Sequence, residues 1–282
     1  MQERLKAAFG NKAIAGRITD DFVHTFHRLG LENGSARLIT EMVIEKVGSS
    51  SDIVSDEEEI RNILGKQEVR GHNLIALLDS RLSTRADLIY RQIEPYIRDT
   101  TGCGIDFGCG DGRVTWRIFE RLHRPIIGVD VRSYVAPEIK DKLEFIPVPQ
   151  NSAAPFADSS FGFGVMSNVA HHESKNENIL RELSRLIRPH GRLVVIETVP
   201  VTSDEIEFEV VFANDWLYNR CFHDADVPVP GTYETAEGWI PRFERVGFQL
   251  ANLGNGLSNY TDLGFDQPTI RDRHVMYVFE RI

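Results

Sequence analysis

Hydrophobic and polar positions follow two different periods along the chain. In the N-terminal third, apolar side chains recur at three- and four-residue spacing, which predicts amphipathic helices. Such helices are predicted at residues 20–28, 35–48 and 88–97. Ser35 is a predicted helix cap, and Ser55 is another because Glu58 follows it three residues later, as in a capping box.

After Thr100 the pattern changes to short apolar runs that alternate with helical segments. Strands are predicted at Gly104–Phe107, Ile126–Val131, Leu143–Val148, Phe161–Ser167, Leu193–Val199, Gln249–Leu253 and His274–Glu280. Helices are predicted at Val114–Leu122, at Asn176–Ile187 and after a cap at Thr235. Strands that are apolar throughout are expected where helices cover both faces of a parallel sheet, so the pattern predicts a doubly wound α/β fold.

This change of pattern divides the chain of 282 residues into two predicted domains. Residues 1–99 form a helical region, for which we predict a role as a lid or in oligomerisation, for example in a homodimer. Residues 100–282 form the α/β domain, with an insertion at 203–230. No apolar run is long enough to span a membrane and no secretory signal is evident, so a cytoplasmic protein without membrane partners is expected.

Charge and cysteine content narrow the classes of partner. The net charge of −10 offers no basic stripe for a phosphate backbone, so nucleic acid is not expected as a partner. Three cysteines without a C-x-x-C pair indicate neither a disulfide framework nor a zinc ribbon. A small-molecule substrate is therefore the expected partner.

A glycine-rich loop, Asp106-x-Gly108-x-Gly110-x-Gly112, follows the first strand of the α/β domain. Glycines there permit a tight turn and close approach of a ligand to the backbone. A dinucleotide fingerprint would place its third glycine at position 113, which is Arg113, and no P-loop lysine follows. The loop therefore predicts another nucleotide-like ligand.

Several segments together resemble the class I S-adenosylmethionine-dependent methyltransferases. The loop at 106–112 resembles their first motif, and Val129–Val131 resembles the acidic end of their second strand. Residues 154–161, 168–172 and 186–193 resemble the segments around their fourth and fifth strands. The resemblance covers residues 100–282 and implies a Rossmann-like sheet of seven strands, an antiparallel last strand, and S-adenosylmethionine as the cofactor.

The resemblance also implies which residues hold the cofactor: Asp106, Gly108, Gly110, Gly112, Asp130, Gln150, Asn151 and Asn168. Asp130 is expected to accept hydrogen bonds from the two ribose hydroxyls, and Asn168 to lie near the reacting sulfonium. Gln150 and Asn151 stand where many relatives carry an acid that receives the adenine amino group. Their amide oxygens are expected to replace that acid.

Three histidines are the candidate catalytic residues. His171 and His172 follow the fourth strand of the predicted domain, and His223 lies in the insertion. Three imidazoles form an open site for Zn²⁺ or Fe²⁺, so all three are candidate metal ligands. The alternative is that His171 or His172 acts as a general base without a metal, since the ordinary histidine pKa of about 6.5 suits that role.

The insertion resembles that of bacterial C-methyltransferases that act on 2-oxo acids. This resemblance implies methylation of carbon 3 of a small 2-oxo acid, for example 2-oxo-arginine (5-guanidino-2-oxopentanoate), through a metal-stabilised enolate in an amino-acid modification of secondary metabolism. Asp215, Asp224 and Asp226 are candidate partners for a guanidinium group. Metal-free O- or N-methylation of a small metabolite remains the alternative.

Overall fold

The protein is described from a computed structural model, which covers residues 1–132, 134–173, 176–223, 227–256 and 272–282. Within these residues the chain forms two compact units. The sheet unit contains Ser83–Val199, Glu234–Asn259 and Arg273–Ile282, and the helical unit contains Met1–Leu82 and Pro200–Tyr233.

A sheet of seven strands forms the centre of the sheet unit, in the order β5-β4-β3-β6-β7-β9-β8. The strands are β3 (Gly104–Phe107), β4 (Ile126–Asp130), β5 (Glu144–Pro147), β6 (Phe161–Ser167), β7 (Ile187–Pro200), β8 (Phe248–Gly256) and β9 (Asp272–Arg281). The strands β5, β4, β3, β6 and β7 pair in parallel, whereas β8 and β9 pair antiparallel. This mixed sheet confirms the predicted Rossmann-like fold with an antiparallel last strand.

The helices of this unit are α6 (Arg113–Leu122), α7 (Asn176–Leu186) and α9 (Ala236–Glu244), together with the second part of α5 (Leu74–Ile97). Helices connect two successive pairs of the parallel strands: α6 lies between β3 and β4, and α7 between β6 and β7. A 3-10 turn at Ala170–His172 follows β6. The central strands β3 and β6 are buried along almost their whole length, because helices cover both faces of the sheet.

The helical unit is built from α1 (Gln2–Gly10), α2 (Lys12–Leu29), α3 (Asn33–Gly48), α4 (Ile53–Gly65), the first part of α5 and α8 (Glu205–Trp216). A short hairpin joins β1 (Glu68–Val69) and β2 (His72–Asn73), and a π-helix spans Leu217–Phe222. Phe22, Phe26 and Phe222 pack in its core with Trp216 and Tyr218 nearby. Phe212 and Trp216 of α8 thus belong to the packed core of this unit.

Two of the predicted helix caps are wrong. Helix α3 begins at Asn33 and α4 at Ile53, so Ser35 and Ser55 lie inside these helices rather than before them. The Ile53 side chain is itself buried, and its packing in the core extends the N-terminal end of α4. Thr235 does cap α9, because its hydroxyl oxygen accepts a hydrogen bond from the amide of Gly238 at 3.1 Å.

The functional division at residues 99 and 100, and the lid and oligomerisation roles of the N-terminal helices, remain predictions. Among the helices of the described residues, none has the length and apolar character needed to cross a bilayer.

Candidate functional site

A cavity of about 360 Å³ opens in the sheet unit at the carboxyl ends of β3 and β4. Its apolar walls include Phe107, Val129 and Val148, and its polar wall includes Asp130 and Gln150. The volume falls in the range of roughly 300–1,000 Å³ that small-molecule sites occupy. Ligands of open α/β sheets bind at this edge, where neighbouring crossovers diverge.

The glycine loop forms one rim of this cavity. Gly108, Gly110 and Gly112 have φ values of 76°, 52° and 75°, in the left-handed region that favours glycine. At Gly108, which lines the cavity, a Cβ atom would lie 2.3 Å from Cγ2 of Val169. At Gly110, by contrast, a Cβ would meet no atom within 4 Å, so open space adjoins the backbone there. The loop thus combines a tight contact on one side with room for a ligand on the other.

Asp130 lies at the end of β4 and is held by backbone amides. Its Oδ2 accepts a hydrogen bond from Gly110 N at 2.8 Å, and its Oδ1 accepts one from Val131 N at 2.7 Å. Burial raises the pKa of Asp130, and these amide hydrogen bonds oppose the rise. The carboxylate is therefore fixed in position at the cavity wall, as a ribose-binding acid would need to be.

Asp106 lies beneath the loop and is not among the residues that line the cavity. It is 2% exposed, and its Oδ2 accepts a hydrogen bond from the Thr115 hydroxyl at 2.6 Å. Burial, reinforced by the carboxylates of Asp130 and Asp111, raises the pKa of Asp106 to about 7 against the effect of the Thr115 bond. Its predicted contact with the ammonium group of the cofactor remains a prediction.

The three predicted amide residues occupy different places. Gln150 and Asn151 both line the cavity, and Gln150 Nε2 donates to Glu173 Oε2 at 3.0 Å. Asn168 has a left-handed φ of 55°, and its Oδ1 accepts a hydrogen bond from Thr198 Oγ1 at 3.0 Å. Its Nδ2 is buried without a hydrogen-bond partner in the described part of the chain, which leaves a donor available at the sheet edge.

His171 forms the most buried polar pair of the site. Its Nδ1 lies 2.5 Å from Oε2 of Glu197, and the two side chains are 1% and 0% exposed. Glu197 Oε1 also accepts hydrogen bonds from the amides of Val169 and Ala170, at 3.0 and 2.7 Å. A carboxylate bound to one ring nitrogen of a histidine fixes its tautomer and its orientation. The catalytic and metal-binding roles of His171 and His172 remain predictions.

His172 completes the turn, and its ring centroid lies 4.2 Å from that of His171 at an interplanar angle of 44°. The 3-10 geometry at Ala170–His172 brings the two imidazoles together in the way that a regular helix would not. Two neighbouring imidazoles, one of them oriented by a carboxylate, fit the donor set of a Zn²⁺ or Fe²⁺ site in part.

The remaining predicted residues lie in the helical unit. His223 Nδ1 is 3.1 Å from Asp79 Oδ1. Asp215 accepts hydrogen bonds from Tyr233 OH at 2.7 Å and from Asn219 Nδ2 at 2.8 Å. The roles of His223 as a metal ligand and of Asp215 in substrate binding remain predictions. Asp224 and Asp226 lie outside the described residues.

Residues 105–195, which contain the cavity and the histidine turn, match the family model described as a methyltransferase domain. The family model covers less than half of the chain, and it ends before the insertion. The prediction of an S-adenosylmethionine-dependent methyltransferase is thus confirmed for the domain.

Curated relatives are similar to part of the chain. A tRNA U34 carboxymethyltransferase of Idiomarina loihiensis is 27% identical over 135 residues, which are 43% of this chain and 40% of that protein. An uncharacterized methyltransferase of Schizosaccharomyces pombe is 21% identical over 182 residues, 60% of each chain. The chain therefore spans less than two thirds of the length of these relatives.

Solved structures share the fold of the methyltransferase domain. A geranyl diphosphate methyltransferase in complex with SAM superposes with a TM-score of 0.52 at 12% identity, over 78% of this chain and 94% of that one. A geranyl diphosphate C-methyltransferase from Streptomyces coelicolor gives a TM-score of 0.51 at 11% identity, over 83% and 100% of the two chains. At this identity the likeness concerns the fold.

S-adenosylmethionine fits the methyltransferase domain on three observations. The open space at Gly110 would admit a ligand against the backbone, the Asp130 carboxylate is fixed at the cavity wall, and the acids Asp106, Asp130 and Glu173 suit a cationic ligand. Burial raises the pKa of Glu173, and a hydrogen bond from Gln150 opposes the rise. A cation bound beside these groups would favour their ionised forms.

Sequence reasoning missed Glu197 and Glu173. Glu197 directly follows the apolar residues Leu193–Ile196 within the predicted strand Leu193–Val199. An acid within an apolar strand is a signal for a buried functional carboxylate. Glu173 follows the two histidines directly, yet only the fold brings it to the cavity wall beside Gln150.

Proposed function

We propose that the protein transfers the methyl group of S-adenosylmethionine to a small acceptor that must lose a proton, with His171 at the reacting centre. The buried pair of His171 and Glu197 at the carboxyl edge of the sheet carries this proposal. Methyl transfer is an in-line displacement, so the acceptor atom has to be held in line with the methyl group and freed of its proton.

The chain's own residues supply three parts of such a reaction. Asp130 and the glycine loop would hold the cofactor, whose sulfonium supplies an electrophilic methyl group. Glu197 would keep the proton of His171 on Nδ1, so that Nε2 would bind the metal ion or, in the metal-free alternative, face the acceptor. The apolar cavity walls would exclude water from the reacting atoms.

For the acceptor we propose carbon 3 of a small 2-oxo acid, in keeping with the paired histidines and the acidic insertion. His171 and His172 would hold a Zn²⁺ or Fe²⁺ ion, with His223 as the third predicted ligand. The ion would supply Lewis acidity toward the carboxylate and keto oxygens of the acid. In the alternative, His171 Nε2 accepts the proton of an oxygen or nitrogen nucleophile without a metal.

The deciding experiment combines elemental analysis with turnover. The untagged protein is purified without chelators, its zinc and iron are measured by mass spectrometry, and 5-guanidino-2-oxopentanoate and other 2-oxo acids are assayed for a 14-dalton mass gain at about pH 7.5. We expect about one metal ion per chain and methylation at carbon 3. His171→Ala, His172→Ala and His223→Ala variants are measured alongside. If all three keep both the metal and the turnover, the proposed metal site is wrong.

An RNA substrate is the competing proposal that the names of the relatives raise. The net charge of −10 argues against it, because phosphate backbones are bound through clustered basic residues. We expect no binding of bulk tRNA in a filter assay at about 50 mM salt. Salt-dependent binding in the micromolar range would instead favour the RNA substrate.

A further inference from the structure

Glu173 is a buried acid in the wall of the cavity. It follows the 3-10 turn at Ala170–His172, is 8% exposed and lines the cavity together with Gln150. Its Oε2 accepts a hydrogen bond from Nε2 of Gln150 at 3.0 Å. Gln150 is exposed and lies in the segment after β5, so the bond joins two separate segments of the cavity wall.

The bond to Glu173 determines which end of the Gln150 amide is available to a ligand. The amide has a donor end, Nε2, and an acceptor end, Oε1, whereas an ionised carboxylate only accepts hydrogen bonds. Nε2 therefore faces Glu173. Oε1 accepts no hydrogen bond from the residues that the structure describes, which leaves an acceptor available at the cavity wall.

Asn151, the other amide residue predicted to contact the cofactor base, differs in this respect. It lines the cavity with Asn178, and its Oδ1 already accepts a hydrogen bond from Asn178 Nδ2 at 3.2 Å. This bond engages the oxygen that was predicted to receive the amino group of the base. Of the two predicted amide oxygens, that of Gln150 is therefore the one offered to a ligand.

The surroundings of Gln150 suit the base of a nucleoside. Strand β5 pairs in parallel with β4, and Pro147 of β5 is the register partner of Asp130. Gln150 follows shortly after Pro147 in the chain, so it lies beyond the predicted ribose-binding acid at the same edge of the sheet. Val148 and Ile179 are among the apolar residues that line the cavity. An apolar wall with one acceptor at its edge is suited to a flat base that carries an amino group.

We propose that Glu173 is a positioning residue that makes the cavity selective for a base with an exocyclic amino group. By holding Nε2 of Gln150, it presents Oε1 to that amino group. A base that carries an oxygen at the same place is disfavoured, because two acceptors would then face each other. This inference rests on the proposed function, in which S-adenosylmethionine occupies the cavity.

The test is isothermal titration calorimetry of the protein with two probes. One is S-adenosylhomocysteine, and the other is S-inosylhomocysteine, in which an oxygen replaces the exocyclic amino group of the base. For wild type we expect S-adenosylhomocysteine to bind at least about tenfold more tightly, since the analogue replaces a hydrogen bond with two opposed acceptors.

Glu173→Gln should remove most of this preference. The new amide can donate or accept, so it satisfies both orientations of Gln150 and lets Nε2 turn toward the oxygen of the inosine base. We expect the preference to fall to about threefold or less. The affinity for S-adenosylhomocysteine should fall by only about two- to threefold, because a fraction of the molecules keeps the required orientation.

Glu144→Gln is the matched control. Glu144 is exposed at the start of β5 and is not among the residues that line the cavity. Both affinities should equal those of wild type. Asn151→Ala should also keep the wild-type preference, because the Asn151 oxygen is engaged by Asn178.

A double variant separates positioning from a structural effect. Gln150→Ala should reduce the preference to about threefold or less, because it removes the acceptor itself. Adding Glu173→Gln to it should change the preference no further, since Glu173 acts through Gln150. A preference that changes again in the double variant would show that Glu173 acts by another route, which overturns the positioning role.

The outcomes separate this inference from the proposed function. Equal affinity of wild type for the two probes, or a preference retained in Glu173→Gln, overturns the positioning role even if the protein methylates a 2-oxo acid. Wild type that binds neither probe overturns the proposed function and this inference together. Loss of the preference in Glu173→Gln without methylation of any 2-oxo acid supports the positioning role and removes the proposed acceptor.

Discussion

Buried acids have different partners in the two units of the molecule. In the helical unit Glu57 and Glu207 are paired with arginines. Glu57, which is 5% exposed, accepts hydrogen bonds from Nε and NH2 of Arg220 at 3.0 Å each and from Trp216 Nε1 at 3.1 Å. Glu207 is likewise paired with Arg17. These charges are neutralised within the unit, as is usual for buried ions.

In the sheet unit the acids Asp106, Asp130 and Glu197 have partners of another kind. Asp106 is bonded to Thr115, Asp130 to backbone amides, and Glu197 to His171 and backbone amides. None of the three forms an ion pair with a lysine or arginine of the described residues. We propose from this contrast that the first set stabilises the fold, whereas the second is completed by a ligand that carries positive charge. The following experiments test this contrast.

The largest effect is expected for Glu57→Ala, measured as the free energy of unfolding in urea. Removing one member of a buried ion pair leaves the Arg220 guanidinium uncompensated, which costs about 3–5 kcal/mol. Glu58→Ala is the matched control, because Glu58 is exposed on the same helix and its loss should change stability by no more than about 0.5 kcal/mol. The affinity of folded Glu57→Ala for S-adenosylhomocysteine should equal that of wild type. A loss of that affinity would show that Glu57 also contributes to ligand binding, which would contradict the contrast.

Asp106→Asn should change the pH dependence of stability. The pKa of Asp106 is raised to about 7 in the folded protein from an ordinary value of 3.8, so ionisation opposes folding. Wild-type stability should therefore fall from about pH 4 to pH 7 and stay reduced above it. The variant has no ionisable group at position 106. Its free energy of unfolding should therefore exceed that of wild type by an amount that grows between about pH 4 and pH 7 to roughly 2–4 kcal/mol.

Urea titrations of the cofactor-free protein from pH 4 to 8 provide the measurement. Adding S-adenosylmethionine should reduce the difference in the free energy of unfolding between wild type and variant, because a bound cation favours the ionised Asp106 of the wild type. Parallel stability curves for wild type and variant at every pH would show that Asp106 is ionised in the folded protein as it is in the unfolded one.

Glu197→Gln should lower turnover about 10- to 100-fold, because it removes the charge that orients His171 while keeping its shape. The cofactor affinity should stay within about twofold of wild type. Glu280→Gln is the control, since Glu280 forms an exposed pair with His190 at 3.0 Å. Exposed pairs contribute little, so this variant should retain full turnover. An unchanged rate in Glu197→Gln would remove His171 from the reacting centre.

The smallest effect concerns the cofactor itself. Asp130→Ala should weaken calorimetric binding of S-adenosylhomocysteine by about 1–2 kcal/mol, the cost of a lost charge-assisted hydrogen bond. Asp141→Ala removes an exposed acid of the same unit and should have no effect. Unaltered affinity in Asp130→Ala would contradict the ribose contact that we assign to it.

Sequence reasoning predicted the sheet because its strands are buried on both faces and therefore apolar throughout. Phe161–Ser167 and Gly104–Phe107 were predicted with the bounds that the structure has. The cap at Ser55 was wrong because the burial of Ile53 extends α4, and tertiary packing of this kind is not visible in local sequence.

Sequence reasoning predicted only those parts of the candidate site that lie in contiguous motifs. The glycine loop and the two histidines are each contiguous in sequence, so their patterns could be recognised. The partner of His171, Glu197, is far from it in sequence and meets it through the order of strands, which no periodicity encodes. Unsatisfied atoms such as Nδ1 of His274 can be identified only from coordinates.

The contact between Gly108 and Val169 has a consequence for how this protein can vary. Because a Cβ at position 108 would lie 2.3 Å from the valine methyl, an alanine there is tolerated only if the side chain at 169 becomes smaller. In a saturation library, the two positions should therefore be epistatic. Gly108→Ala should be lost from the functional pool alone and recovered only in part together with Val169→Gly, because the φ of 76° at position 108 strains any side chain there. The cofactor loop and the histidine turn are therefore expected to vary together.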